Sequence, residues 1–164
     1  MSDDTRSPEQ IVADLIEKSP ICMITTTIGP DGRLLSRPMT RQSSDFDGTL
    51  RLLAPRDGDL VSEIATNRQV NVSVQSSDGF VSVAGRAAVD DDRNAVAENW
   101  SPAVDDAWFP DGSEEATSIL VHADSAEYWD SSGSSIAHIA SFVRAAVSRD
   151  DRAPDMGDSG TVEL

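Results

Sequence analysis

The sequence predicts a mainly β domain of the α+β class: a six-stranded antiparallel barrel with flanking helices, built from a chain of 164 residues. Three observations carry this expectation. Residues 69–75, QVNVSVQ, alternate apolar and polar without a break and put Val70, Val72 and Val74 on one face. Apolar, β-branched runs are separated by turns rich in Gly, Pro and Asp, namely Gly29-Pro30-Asp31-Gly32, Asp45-Phe46-Asp47-Gly48 and Ser77-Asp78-Gly79. Helical periodicity is confined to segments that open on capping residues. No repeat and no linker interrupts the chain, so one domain is expected, with an ordered core over about residues 8–147 and a polar, loosely held tail over 148–164.

Each element has a local cause. Ser7-Pro8-Glu9-Gln10 combines an N-cap serine, a proline at the first helical position and a glutamine three residues after the cap. Ile11, Val12, Leu15 and Ile16 then form one apolar stripe, and Ser19-Pro20 stops the helix. ICMITTTI (21–28) reads as the first strand and residues 33–42 as the second, with Leu35, Arg37, Met39 and Arg41 on one side. Pro38 has no N–H to donate, which makes the second strand an edge or a bulged strand and leaves backbone groups open to a ligand. Residues 49–54 return as a third strand, and Asp57 caps a helix to about Thr66 with Leu60, Val61 and Ile64 inward. Residues 80–89 pair with 69–75 as a hairpin, in which Gly85 marks a bulge or a close approach. A helix is expected over Asp90–Asn99 and irregular or short helical structure over Trp100–Gly112. Residues 118–130 form a last long strand, kinked near Asp124, and Ser134–Val147 an amphipathic helix.

The charge excludes some functions and suggests another. A net charge of −16 repels phosphate backbones, so nucleic acid is not an expected partner. No apolar run approaches the roughly 20 residues of a membrane span, and the acidic N-terminus lacks signal-peptide architecture, so a cytoplasmic protein is expected. The acid is mostly Asp (21 Asp to 8 Glu) and the base almost all Arg (12 Arg to one Lys), a texture that suits strong salt and that genomic base composition also produces. Against this background Arg33, Arg37, Arg41, Arg51 and Arg56 fall between residues 33 and 56 with only Asp45 and Asp47, a local balance of +3. Such an island suits an anion, most simply a phosphate near the following helix start. It equally suits strand-surface arginines that balance acids elsewhere.

Other chemistry-bearing residues point less far. Cys22 lies in an apolar run with no cation near it in sequence and reads as a small buried hydrophobe. His122 and His138 lack a second ligand at metal spacing, so no metal site is expected. Asp90-Asp91-Asp92 reads as a helix cap with a solvated face. Trp108-Phe109-Pro110 offers either a rigid apolar wall for a planar ligand or an ordinary core or dimer anchor, while Trp129 beside Tyr128 reads as core.

The order of these elements resembles a known family. DGRLLSRPM (31–39), DFDGTL (45–50), N-x-x-V-N-V-S (67–73), FVSVAG (80–85), D-D-R (91–93), AWFP-x-G (107–112), AEYWD (126–130) and the final GTVEL are similar, in the same order, to the general stress protein 26 group. That group belongs to the pyridoxamine 5′-phosphate oxidase-like, FMN-binding split-barrel superfamily, and the match runs from about Pro8 to Leu164. The resemblance implies a six-stranded split barrel, a homodimer and FMN in a groove between protomers. It implies that Arg37, Met39, Thr40 and Gln42 contact the flavin and its phosphate. It further implies that Leu53, Ala54 and Arg56–Leu60 complete the phosphate cradle; against a flavin, the apolar wall offered by Trp108 would face the ring. The chain departs from the family pattern at three cradle positions, with Ala54 for Thr, Gly58 for Ser and Leu60 for a basic residue.

Three readings follow. One is an FMN-binding oxidoreductase in which the flavin performs hydride or electron transfer, with no acid–base residue identified. Another is a non-catalytic split-barrel dimer that has lost FMN. The last is a relative that holds a deazaflavin or a haem-type ligand, for which His122 and His138 are the conventional haem ligands to test. Pyridoxamine phosphate oxidation itself is not expected, since the Arg- and His-bearing substrate tail of those enzymes has no counterpart.

Overall fold

In a computed structural model, residues 6–42, 45–131 and 158–164 are described. The chain forms α1 (Pro8–Glu17), β1 (Ile21–Ile28), β2 (Arg33–Thr40), β3 (Thr49–Pro55), α2 (Asp59–Thr66), β4 (Gln69–Gln75) and β5 (Gly79–Asp90). It continues through α3 (Arg93–Asn99), α4 (Pro102–Trp108), a 3-10 turn (Ser113–Glu115), β6 (Ala116–Asp130) and β7 (Asp158–Glu163). Each ladder is antiparallel, in the order β2-β1-β4-β5-β6-β3, and β7 pairs with β6. The two ends of this path, β2 and β3, meet only at the bridge Arg41↔Leu52, where the Gln42 N–H also donates to the Arg51 carbonyl at 2.9 Å. The result is a barrel left split along one side.

Pro38 explains the split. It faces Met23 on β1, and its missing N–H leaves β2 unable to support a full second ladder, so β2 is an edge strand as expected. The interior is filled by the alternating residues of each strand, among them Ile24, Leu50, Leu52, Val72, Val83, Ile119 and Val121. α1 is held by a full capping box, with the Ser7 Oγ accepting from Gln10 N at 3.3 Å and Gln10 Oε1 accepting from Ser7 N at 2.8 Å. Its buried stripe of Ile11, Val12, Leu15 and Ile16 packs against β4–β7, and α2 adds Leu60 and Ile64 against β1, β3 and β5. Cys22 is buried as expected and donates to the Met39 carbonyl at 3.6 Å. Burial pushes its thiol up to about 11, although the fold brings the positive charge of Arg41 near it.

The structure corrects several expectations. The sheet has seven strands, not six, because part of the tail forms β7. Val162 enters the core and Gly160 lies close under the Tyr128 ring, contacts that a polar pentapeptide does not advertise. The helix expected to be capped by Asp57 starts later: Gly58 is the N-cap, with no side chain to make a capping bond, and its N–H closes a turn onto the Pro55 carbonyl at 3.0 Å. The helix expected over Asp90–Asn99 is shorter, since β5 extends to Asp90 and Asp92 caps α3 through Asn94 N at 2.9 Å. The stretch Trp100–Gly112 contains the short helix α4, in line with the short helical structure expected there. The expected helix Ser134–Val147 lies outside the described residues.

The kink near Asp124 and the close approach at Gly85 are one feature. The β5–β6 register steps from Ala84↔Ser125 to Gly85↔Ala123, which leaves Asp124 as the extra residue of a bulge. The Asp124 carbonyl then accepts the Leu164 N–H at 3.0 Å. A methyl on Gly85 would collide with the His122 carbonyl oxygen and come within 3.2 Å of the Ala123 Cα, all backbone that cannot yield. Gly85→Ala is therefore expected to destabilise the fold by about 1–3 kcal/mol, seen as a lower urea midpoint; an unchanged midpoint would contradict the packing described.

Candidate functional site

The split in the barrel leaves a hollow beside β2. Arg37, Pro38, Met39, Thr40 and Gln42 form one wall, Leu53 and Pro55 a second, and Asp105, Trp108 and Phe109 a third, enclosing a cavity of about 220 Å³. Local sequence sets each wall. The period-two pattern of β2 turns Arg37 and Met39 to the side shared with Cys22 and Ile24 across the ladder. Leu53 packs in a small apolar cluster with Val96, Phe109 and Ala116, which seats α3 and α4 against the barrel. Trp100 stacks at a tilt on Phe109, with ring centroids 5.6 Å apart. Trp108 ends α4 and stands at the rim, 65% exposed.

Six of the residues that the sequence points to line this one cavity: Arg37, Met39, Thr40, Gln42, Leu53 and Trp108. Ala54 and Arg56–Leu60 do not. Ala54 is buried in the main core and pairs with Thr117, since β-strand alternation turns it away from its neighbour Leu53. Arg56 leaves β3 with its N–H bound to the Glu115 carbonyl at 2.8 Å and its side chain 3.9 Å from Asp91.

Two residues of the site carry no recognisable signal in the sequence. Asp105 is 1% exposed; its Oδ1 accepts from Gln42 Nε2 at 3.2 Å and its Oδ2 from Ser101 N at 2.7 Å. It thus ties the end of β2 to the start of α4, and the spacing Ser101-x-x-x-Asp105 behind Pro102 is its only trace in the sequence. Glu63 on α2 receives both edges of the Arg37 guanidinium, Nη1 to Oε2 and Nη2 to Oε1, each at 2.6 Å. Thr26 joins them, donating to Glu63 Oε2 at 2.5 Å and accepting from Arg37 Nη1 at 3.1 Å.

The arginines do not form a free positive patch. Arg37 binds Glu63, Arg51 binds Asp47 at 2.9 Å, Arg33 lies 3.2 Å from Asp31, and Arg56 approaches Asp91. Arg41 is buried and donates to the carbonyls of Glu17 and Ser19 at 3.2 and 3.4 Å, placing its charge at the end of α1 where the helix dipole favours a cation. The island of positive residues in sequence is neutralised in space. His122 is exposed and shares a hydrogen bond with Thr49 Oγ1 at 3.2 Å; His138 lies outside the described residues.

Comparison with known proteins agrees with this architecture. Residues 7–154 match the model of the family described as pyridoxamine 5′-phosphate oxidase like. The chain belongs to that family. No curated protein matches it. A putative general stress protein 26 from Jannaschia sp. CCS1 is 25% identical with a TM-score of 0.65, the match covering 92% of this chain and 94% of that one. The general stress FMN/FAD binding protein of Xanthomonas citri is 26% identical, TM-score 0.59, over 72% of this chain and 89% of its own. A protein related to general stress protein 26 from Clostridium acetobutylicum shares the fold at 15% identity, TM-score 0.67, over 92% and 90% of the two chains.

Hydrogen bonds from Arg37 hold the Glu63 carboxyl below the usual glutamate range, against the opposing effect of burial. A carboxylate with a depressed folded-state pKa contributes stability above its unfolded pKa, and that contribution fades as pH falls through the folded value. Glu63→Gln is therefore expected to cost about 1–2 kcal/mol at neutral pH, with the gap to wild type shrinking in strongly acidic buffer. Urea midpoints at the two pH values measure this; a gap independent of pH would remove the ion pair from the stability of the fold.

Proposed function

We propose that the chain is a homodimeric flavin-binding protein of oxidoreductase type, with the isoalloxazine ring in the cavity between β2, β3 and α4. The observation that carries this reading is the convergence of Met39, Thr40, Gln42, Leu53 and Trp108 on one hollow beside an edge strand. A planar ring wants apolar faces and a row of backbone donors and acceptors at its rim; Met39, Leu53 and Trp108 supply the first and the open edge of β2 the second. When bound, the flavin would supply hydride or electron transfer, and the residues of this chain would position the ring and exclude water from it. The name of the Xanthomonas citri relative, which states FMN/FAD binding for that protein, supports the same reading.

The ring side of the cavity fits a flavin, whereas the phosphate side does not. Arg37 is already paired with Glu63 through both Nη groups, Ala54 is buried without a hydroxyl, Gly58 has no side chain, and Leu60 is buried in the core. This mismatch favours, as a second reading, a dimer that binds no flavin. Purified protein that is yellow, or that takes up added riboflavin or FMN with quenching of flavin fluorescence, is expected under the first reading. Colourless protein that takes up neither supports the second. Under the first, Trp108→Ala is expected to weaken uptake about tenfold, the worth of a lost ring contact. An exposed control pair, Arg86–Asp124, is expected to tolerate Arg86→Ala without change.

Dimerisation is proposed on separate grounds. By the β1–β2 register, Ile21, Met23 and Leu34 share the outer face of the hairpin, and Leu34 is 72% exposed. Apolar side chains at both ends of that face, with Thr25 and Ser36 between them, on an edge hairpin beside the cavity suit a second copy of the chain. Leu34→Glu is expected to shift the protein from dimer to monomer in sedimentation and to reduce flavin uptake with it. A dimer that persists unchanged would place the interface elsewhere.

A further inference from the structure

Resting on the flavin reading above, we infer that Glu63 is a built-in anion that occupies Arg37 in place of a ligand phosphate, so that the cavity selects a flavin without phosphate, riboflavin-like, over FMN. Among the described residues Arg37 is the only cation lining the cavity, and both of its Nη groups already face one carboxylate at 2.6 Å. The pair is not a loose surface contact. The side chains are 23% and 15% exposed, and Thr26 fixes the geometry by binding both partners. The only other charged residue lining the cavity among the described residues is Asp105, buried and held by Gln42 and Ser101. Arg37, Glu63 and Asp105 together leave a net negative cavity, and Asp59 at the start of α2 adds a further negative charge within electrostatic reach of Arg37.

A phosphate dianion entering here has two courses, both unfavourable. It must either displace Glu63, leaving a largely buried carboxylate without its partner, or remain unpaired in the field of three acids. An uncharged ribityl chain meets neither obstacle; the Gln42 Nε2 is engaged by Asp105 and the Thr40 carbonyl, and its side-chain oxygen and the open edge of β2 face the chain's hydroxyls. The general alternative is that the Arg37–Glu63 pair only clamps β2 to α2. A clamp would affect both flavins alike, whereas a surrogate anion discriminates between them by charge.

The test compares riboflavin and FMN as probes, by quenching of flavin fluorescence, on the full chain and on Glu63→Gln. Wild type is expected to bind riboflavin at least about tenfold more tightly than FMN, the discrimination a buried charge conflict provides. Glu63→Gln keeps the shape, removes the carboxylate charge from Arg37 and is expected to narrow or reverse that ratio by about tenfold. In wild type, raising salt is expected to improve FMN binding relative to riboflavin by screening the repulsion, a readout that does not depend on the variant folding. FMN bound as tightly as riboflavin by wild type, or a ratio unmoved by Glu63→Gln, overturns this inference and leaves the flavin reading intact. Uptake of neither flavin by wild type overturns both.

Discussion

The meeting of β2 and β3 at a single bridge, Arg41↔Leu52, governs the rest of the molecule. A fully closed barrel would remove both edges and leave no hollow between them. A proline in the middle of β2 withholds one donor, and the bulk of α4 with Phe109 wedges against Leu53 on the other side. The barrel therefore joins at one end, where Gln42 N–H reaches the Arg51 carbonyl, and gapes over the length of Arg37–Thr40. The cavity is a consequence of incomplete pairing, lined along one wall by the edge of β2 that no second strand covers.

Electrostatics then decide what that hollow can hold. In a chain of net charge −16, a guanidinium is rarely far from a carboxylate, and each arginine of the strand-rich island finds one or a helix end. The Arg37–Glu63 pair has the best geometry of these, bidentate and supported by Thr26, so it holds β2 to α2 firmly and pairs the one cation that lines the cavity among the described residues. The three departures from the family's phosphate-cradle pattern, at Ala54, Gly58 and Leu60, acquire a common sense in this light. Two of the three side chains that replace the cradle serve the core, and the third position closes a turn.

Much of the fold was legible because it is written in local patterns. The alternation in residues 69–75, the capping box at Ser7, and the edge character imposed by Pro38 are properties of a few neighbouring residues, and each reappears in the structure. Gly85 and Asp124 were readable separately, as a glycine in a strand and a break in an apolar run. Only the register shows that they are two sides of one bulge. The misreadings share a cause. β7 is polar in composition and becomes a strand only because β6 offers it an edge and a place for Val162. The helix that was expected to open at Asp57 starts at Gly58 because of a turn onto Pro55.

By itself, the sequence determined the element order, the strand faces, the edge position of β2 and the residues that would gather near it, since periodicity and turn chemistry are short-range physics. It could not determine the state of the arginines. Charge counted along a chain says nothing of which carboxylate lies 2.6 Å away across a helix–strand contact, and Glu63 is separated from Arg37 by a strand, a turn and the first part of α2. Nor could it reveal Asp105, whose role depends on α4 folding back over the end of β2. Long-range packing alone converts an apparently positive segment into a neutralised one, because an ion pair is set by distance in space and not by spacing in sequence.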